Sequence, residues 1–233
     1  IHDLTKPMYE KEGFQTDKDD FVIISVPVYA GRVAQMAKSR LESLKGDDTP
    51  AAIVVLYGNR EFDDALLELY DIAKLQSLRV VAAAAFIGEH SFSTIETPIA
   101  LGRPDEKDLA IAASFAQQIF ANIELNKDHF YPRENLPGND PHTEGLPPNG
   151  LPFTPHVDST LCTHCGLCIP ACPGAAIEME SEIKMEVSRC IHCCCCIKIC
   201  PENAVSLAAP PLLEKRQWLF ENCSRRKEPQ LFL

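Results

Sequence analysis

CTHCGLCIPACP at residues 162–173 and CIHCCCCIKICP at residues 190–201 share one spacing, with Cys at the first, fourth, seventh and eleventh places and Pro at the twelfth. Every position of the second run is its counterpart in the first plus 28. Each run offers three thiols on a tight loop and a fourth at the start of the next turn. Zinc is the plain competitor for such residues, but structural zinc takes closed CxxC pairs rather than four cysteines in one run, repeated, each ending in Pro. Disulfides fit worse, because eleven cysteines is an odd number.

The spacing resembles that of bacterial two-cluster ferredoxins, in which the fourth Cys of each run ligates the other cluster. The resemblance implies two 4Fe-4S clusters and transfer of single electrons. It assigns Cys162, Cys165, Cys168 and Cys200 to the first cluster, and Cys172, Cys190, Cys193 and Cys196 to the second. The runs differ at one place: Gly166 and Leu167 in the first face Cys194 and Cys195 in the second. Only 190, 193, 196 and 200 reproduce the first run's spacing. Cys194 and Cys195 are therefore expected to be loop residues, and Cys223 a spare thiol.

Composition divides the chain of 233 residues. Residues 126–158 hold seven prolines and three glycines with no helical or alternating period, which reads as an extended linker wrapping a surface. The expected organisation is an α/β domain over 1–125, this linker, a ferredoxin-type domain over 159–209 and a tail over 210–233. Residues 1–150 carry 14 basic and 24 acidic side chains, against 8 and 9 in 151–233, and the chain totals −11. Such an acidic surface argues against nucleic acid and favours basic protein partners. No apolar run approaches the roughly 20 residues that span a bilayer, and thiolate clusters require a reducing interior. Cytoplasm is the expected compartment.

Phe21–Val28, Ala51–Tyr57 and Val80–Ile87 are apolar runs without alternation, the pattern of parallel strands buried on both faces. Between them the period turns helical, through Val33, Ala37, Leu41 and Leu44, and again through Phe62, Leu66, Leu69 and Ala73. Leu109, Ala112, Ala116, Ile119 and Ile123 continue the pattern after Pro104, which suits a helix start. Strand and helix in alternation imply an open parallel sheet with helices on both faces.

Ligands bind beyond the carboxyl ends of such strands. Pro27, Val28, Tyr29, Ala30, Gly31 and Arg32 follow the first, and Tyr57, Gly58, Asn59 and Arg60 the second; each loop pairs an aromatic with a Gly. PVYAGR and YGNREFDDAL, with GEHSFS at 88–93, GRPDEKD at 102–108 and the double cysteine run, resemble the flavodoxin-ferredoxin fusion family. That resemblance implies a flavodoxin-like sheet and FMN lying against residues 27–32 and 57–60. The family's phosphate-binding turn between its first strand and helix has no counterpart here, and Ile1–Thr5 looks like its second strand. Without a strand between the second and third, buried backbone groups would lack partners. A preceding segment of about 30 to 40 residues, the length of one βα unit, is expected.

Three classes of function follow. The first is an iron-sulfur flavoprotein that passes electrons between FMN, two clusters and redox protein partners. The second is a flavin-dependent reductase of a small organic substrate, with His90 as its proton donor. The third is a flavin-free, ferredoxin-type subunit of a larger redox complex, gripped through Leu212, Leu213, Trp218, Leu219 and Phe220, although such a tail more often packs on its own chain.

Overall fold

In the computed structural model, residues 1–5, 13–147 and 151–233 are described. The first elements in chain order are β1 (Phe14–Gln15), β2 (Val22–Tyr29), β3 (Arg32–Val33), α1 (Gln35–Leu41), β4 (Leu44–Lys45), β5 (Thr49–Tyr57), α2 (Ala65–Leu75), β6 (Leu78–Ile87) and α3 (Glu106–Leu125). The cysteine-rich part adds β7 (His156–Val157), β8 (Ile177–Met179), β9 (Ile183–Met185), α4 (Cys195–Ile199) and β10 (Val205–Ser206). The chain then continues through α5 (Pro210–Cys223) to β11 (Gln230–Phe232).

The three apolar runs form the middle of a five-stranded sheet ordered β11-β6-β5-β2-β3. β2, β5 and β6 are parallel, while β3 and β11 run antiparallel, so the sheet is mixed rather than wholly parallel. Helices cover both faces. One core joins Ile24, Val26, Ile53, Val55 and Leu78 to Leu66, Leu69 and Ala73 of α2, and a second packs Ala52, Val81, Ala84 and Phe86 against Phe115 and Ile119 of α3. Leu231 and Phe232 of β11 add to opposite faces.

Several local expectations are corrected. β2 is half exposed, not buried on both faces: Ile24 and Val26 point into the core, while Ile23 is 63 % exposed. The reason lies in what covers its face: α3 packs its Phe115 and Ile119 on β5 and β6 residues such as Ala52, Val81 and Ala84, and the alternate residues of β2 on that face stay open. Ile1–Thr5 forms no strand; Arg40 Nη1 donates to the Leu4 carbonyl at 2.6 Å. Val33 and Leu44 lie in short strands rather than in α1, and Phe62 precedes α2. α3 begins after Asp105, whose carboxylate caps Lys107 and Asp108 while Asp108 returns a bond to the Asp105 amide. Pro104 stands just outside that reciprocal cap.

Two buried carboxylates set the connections around α2. Glu68 receives Arg32 Nε and Nη2 at 2.9 and 2.8 Å and the Val33 amide at 2.9 Å, which pins the turn after β2 to the helix. Asp64 accepts from the amide and hydroxyl of Thr143, both at 2.7 Å, and from the amide and side chain of Asn139 at 2.8 and 2.9 Å. Burial pushes the Asp64 carboxyl up, but these four bonds outweigh it and hold the group well below its ordinary 3.8. The proline-rich segment is held down by the same contacts, with Leu136 in the main core.

Since Asp64 is depressed in the folded state, its contribution is complete above pH 3.8 and fades as pH falls through the lower folded value. Asp64→Ala should lower stability by about 2 kcal/mol at pH 7, and the deficit should shrink in acid. Urea titrations at both pH values check this.

Candidate metal centre

The cysteine-rich part is two copies of one small structure. β7 pairs with β10, setting Val157 opposite Val205, and β8 pairs with β9, setting Ile177 opposite Met185. Adding 28 to Val157 and Ile177 gives Met185 and Val205, so the two strand pairs exchange under the repeat. The turns before each run repeat as well. Asp158 accepts from the Thr160 amide and hydroxyl at 2.8 and 2.6 Å, and Glu186 from those of Ser188 at 3.1 and 2.8 Å. The Asp158 amide donates to the Ala204 carbonyl and the Glu186 amide to that of Ala176, again 28 apart.

Backbone conformation follows the same rule. His164 and His192 both have φ 57°, Ala175 and Asn203 have φ 47° and 52°, and Gly166 and Cys194 have φ 75° and 59°. Left-handed backbone suits glycine because it has no Cβ. Cys194 therefore stands where the first loop uses Gly166, as a turn residue. It is buried, and its thiol donates to the His192 carbonyl at 3.6 Å. Burial, then Cys193, Cys196 and Cys190, push this thiol up to about 12.

The repeat brings the eight outer cysteines into two rings. Cys162, Cys165, Cys168 and Cys200 line one pocket, beside Val157, Ile183 and Val205. Cys172, Cys190, Cys193 and Cys196 line a second, with Ile177, Met185 and His192. Each ring thus borrows its fourth cysteine from the other run. Cys194 also borders the second cavity, whereas Cys195 and Cys223 line neither.

The rings suit a polynuclear cluster in chemistry and shape. Eight thiols face apolar walls, and the Ala176 amide donates to Cys172 Sγ at 3.3 Å, the kind of bond that tunes a thiolate-ligated centre. Among the described residues no group of three or more His, Cys, Asp or Glu side chains is arranged to hold a single metal ion. Burial and neighbouring thiols raise Cys193 to about 11 and Cys196 to about 12. Metal binding at this ring must therefore release protons.

The other candidate residues divide. Tyr29 is half-buried, and its phenol is raised by burial and then by the charges of Cys193, Cys194, Cys195 and Cys190. Pro27 and Ala30 are exposed; Val28 pairs with Val33; Gly31 packs on Asp63; Arg32 is spent on Glu68 and the Thr143 carbonyl. Residues 57–60 are closed. Tyr57 is buried against Phe62, a Cβ on Gly58 would collide with the His90 ring, and Arg60 pairs with Asp63. Asn59 donates to the Cys223 and Arg225 carbonyls at 2.6 and 2.8 Å. Among the described residues, Tyr57 Oη and Asn59 Oδ1 are buried without a partner. These contacts lend no support to the FMN that the resemblance implies.

His90 Nδ1 accepts from the Phe92 amide at 3.0 Å, and burial, then Lys215, Arg60 and Lys198, lower its pKa to about 4. It is neutral at pH 7. Sequence inspection missed the residues that join the two parts. Lys198 Nζ donates to Glu89 Oε1 at 2.7 Å and to the Ser93 carbonyl at 2.8 Å, and Arg40 Nη2 to the Pro173 carbonyl at 2.8 Å. No local pattern marks them, because each partner lies about a hundred residues away. The Asp158/Glu186 caps, by contrast, were readable from the 28-residue offset.

A family model described as the 4Fe-4S binding domain matches residues 155–178. No curated protein and no solved structure matched the chain. Residues 155–178 are a ferredoxin-type region, which indicates iron-sulfur electron transfer and at least one 4Fe-4S cluster.

Cys194→Gly should leave iron content and visible spectrum unchanged, since Gly adopts the same backbone without strain. Cys193→Ser should instead lower the iron bound per chain by about half. Iron and acid-labile sulfide assays on both variants make the comparison.

Proposed function

We propose that the chain carries single electrons through two 4Fe-4S clusters, the first held by Cys162, Cys165, Cys168 and Cys200, the second by Cys172, Cys190, Cys193 and Cys196. The observation that carries this is the 28-residue repeat of strands, capped turns and left-handed positions, which gives the unmatched second run the backbone of the matched first one. When bound, the clusters supply one-electron exchange. The protein's share is burial, apolar walls and hydrogen bonds to sulfur.

We assign residues 1–125 with the tail 210–233 to an α/β domain, because β11 joins that sheet and α5 packs on Phe92 and Ile99 of the loop after β6, and residues 155–209 to the cluster domain. Redox protein partners complete the proposal. The flavodoxin-like ancestry of the first domain rests on the resemblance of its loops together with the parallel order β2-β5-β6. We route no step through FMN. A reductase drawing its proton from His90 is disfavoured, since a neutral imidazole whose Nδ1 already accepts is not poised as an acid at pH 7.

Anaerobically purified protein should contain about eight iron and eight acid-labile sulfide per chain, with a broad visible band bleached by dithionite. Four of each would reduce the proposal to one cluster. About one acid-released flavin per chain would restore the flavoprotein alternative.

A further inference from the structure

The two rings are alike in sequence and spacing but unlike in surroundings. The first ring's loop lies in the open: Thr163, His164 and Cys165 are exposed, and Leu161 and Leu167 are 49 % and 47 % exposed. The second ring's loop is covered. His192, the counterpart of His164, is 7 % exposed and its Nε2 donates to the Phe153 carbonyl at 2.5 Å; Cys194, the counterpart of Gly166, is 2 % exposed. What covers it includes Phe153, whose ring packs edge-on against His192 with centroids 5.7 Å apart, and the Lys198 bonds tie the following helix to the loop after β6.

The position after each Pro sharpens the contrast. Glu202, at the first ring, is exposed and lines its cavity. Its counterpart is Gly174, where a Cβ would collide with the Arg189 carbonyl and touch Met36 of α1. Charge is uneven too. Residues 155–209 hold six acidic and three basic side chains, and one of the three, Lys198, is turned to Glu89. The β8–β9 hairpin, whose Met179 reaches the Gly166 position at 3.5 Å, carries Glu178, Glu180 and Glu182. Arg189 and Lys184 pair with the first two, which leaves Glu182 and Glu202 without a cation among the described residues.

We propose that the first ring is the chain's external electron port: Leu161, Cys165 and Leu167, rimmed by Glu182 and Glu202, dock a one-electron redox protein with a cationic face, while the second ring serves only contacts within the chain. This rests on the two-cluster proposal above. In the step itself one electron leaves the reduced protein and enters the oxidised one, with no bond formed or broken and no proton moved. An apolar centre with a charged rim suits such a transient partner, because the rim steers encounter and the exposed edge shortens the transfer distance.

Ferricytochrome c, a cationic one-electron haem protein, serves as the probe, with the dithionite-reduced full chain as donor. Glu182→Lys/Glu202→Lys should weaken binding and slow haem reduction about tenfold at low salt, with iron and sulfide content unchanged. Glu124→Lys/Asp128→Lys, on and just after α3, makes the same change in net charge and should alter neither measurement. Should the double variant lose iron, Glu182→Lys alone, whose side chain does not line the pocket, should still weaken binding severalfold. Hydrogen exchange in the complex should show protection at 161–167 and not at 190–195. An equal effect of both charge reversals, or protection at 190–195, would overturn the port. Iron near four or zero in the unmutated chain would instead overturn the cluster proposal on which it stands.

Discussion

Neither run of cysteines completes a ring by itself. Three of its thiols sit on one loop, but the fourth, Cys172 or Cys200, lies beyond a turn and borders the cavity of the other run. Closure therefore needs the two halves related by a twofold, and the rest of the cysteine-rich part serves that relation. β7 with β10 and β8 with β9 set the halves in register, and Asp158 and Glu186 cap the turns that launch each loop. Ile177 and Val205, exchanged by the same offset, pack between the rings with Cys168, Cys172, Cys196 and Cys200.

The sheet imposes a different constraint, that of keeping long connections at its loop ends. Polar groups achieve this where apolar packing cannot. Glu68 holds the turn after β2, Asp64 holds the proline-rich segment, and the buried Arg103–Asp108 pair holds the start of α3 while Arg103 Nη1 also donates to the Lys227 carbonyl at 3.1 Å. Each of these carboxylates has several donors, which is the condition for tolerating a charge away from water. The result is a set of loops already engaged within the chain.

Much of the fold was legible in local pattern. Runs such as VVAAAAFI announce a strand covered on both sides, and Ala82–Ala85 are indeed fully buried between β5 and β11. The helix stripes placed α2 and α3 because 3.6-residue periodicity reports a face that must be covered. The same logic failed at Val33 and Leu44, whose spacing fits a helix but whose backbone pairs with β2 and β1. It failed at β2 as well, since an apolar run does not say whether a neighbour is there to bury it.

The sequence alone determined the metal chemistry, because ligand type and spacing are local properties, and thiols three and four residues apart can meet one centre in few ways. It also contained the 28-residue offset from which the role of Cys194 follows. Only the tertiary structure decided that the last residues return as β11, that His90 and the tail close the 57–60 turn, and that one ring is open while its twin is covered. Those outcomes depend on pairs such as Lys198 with Glu89, more than a hundred positions apart, and two motifs of one spacing come to differ through what folds against them.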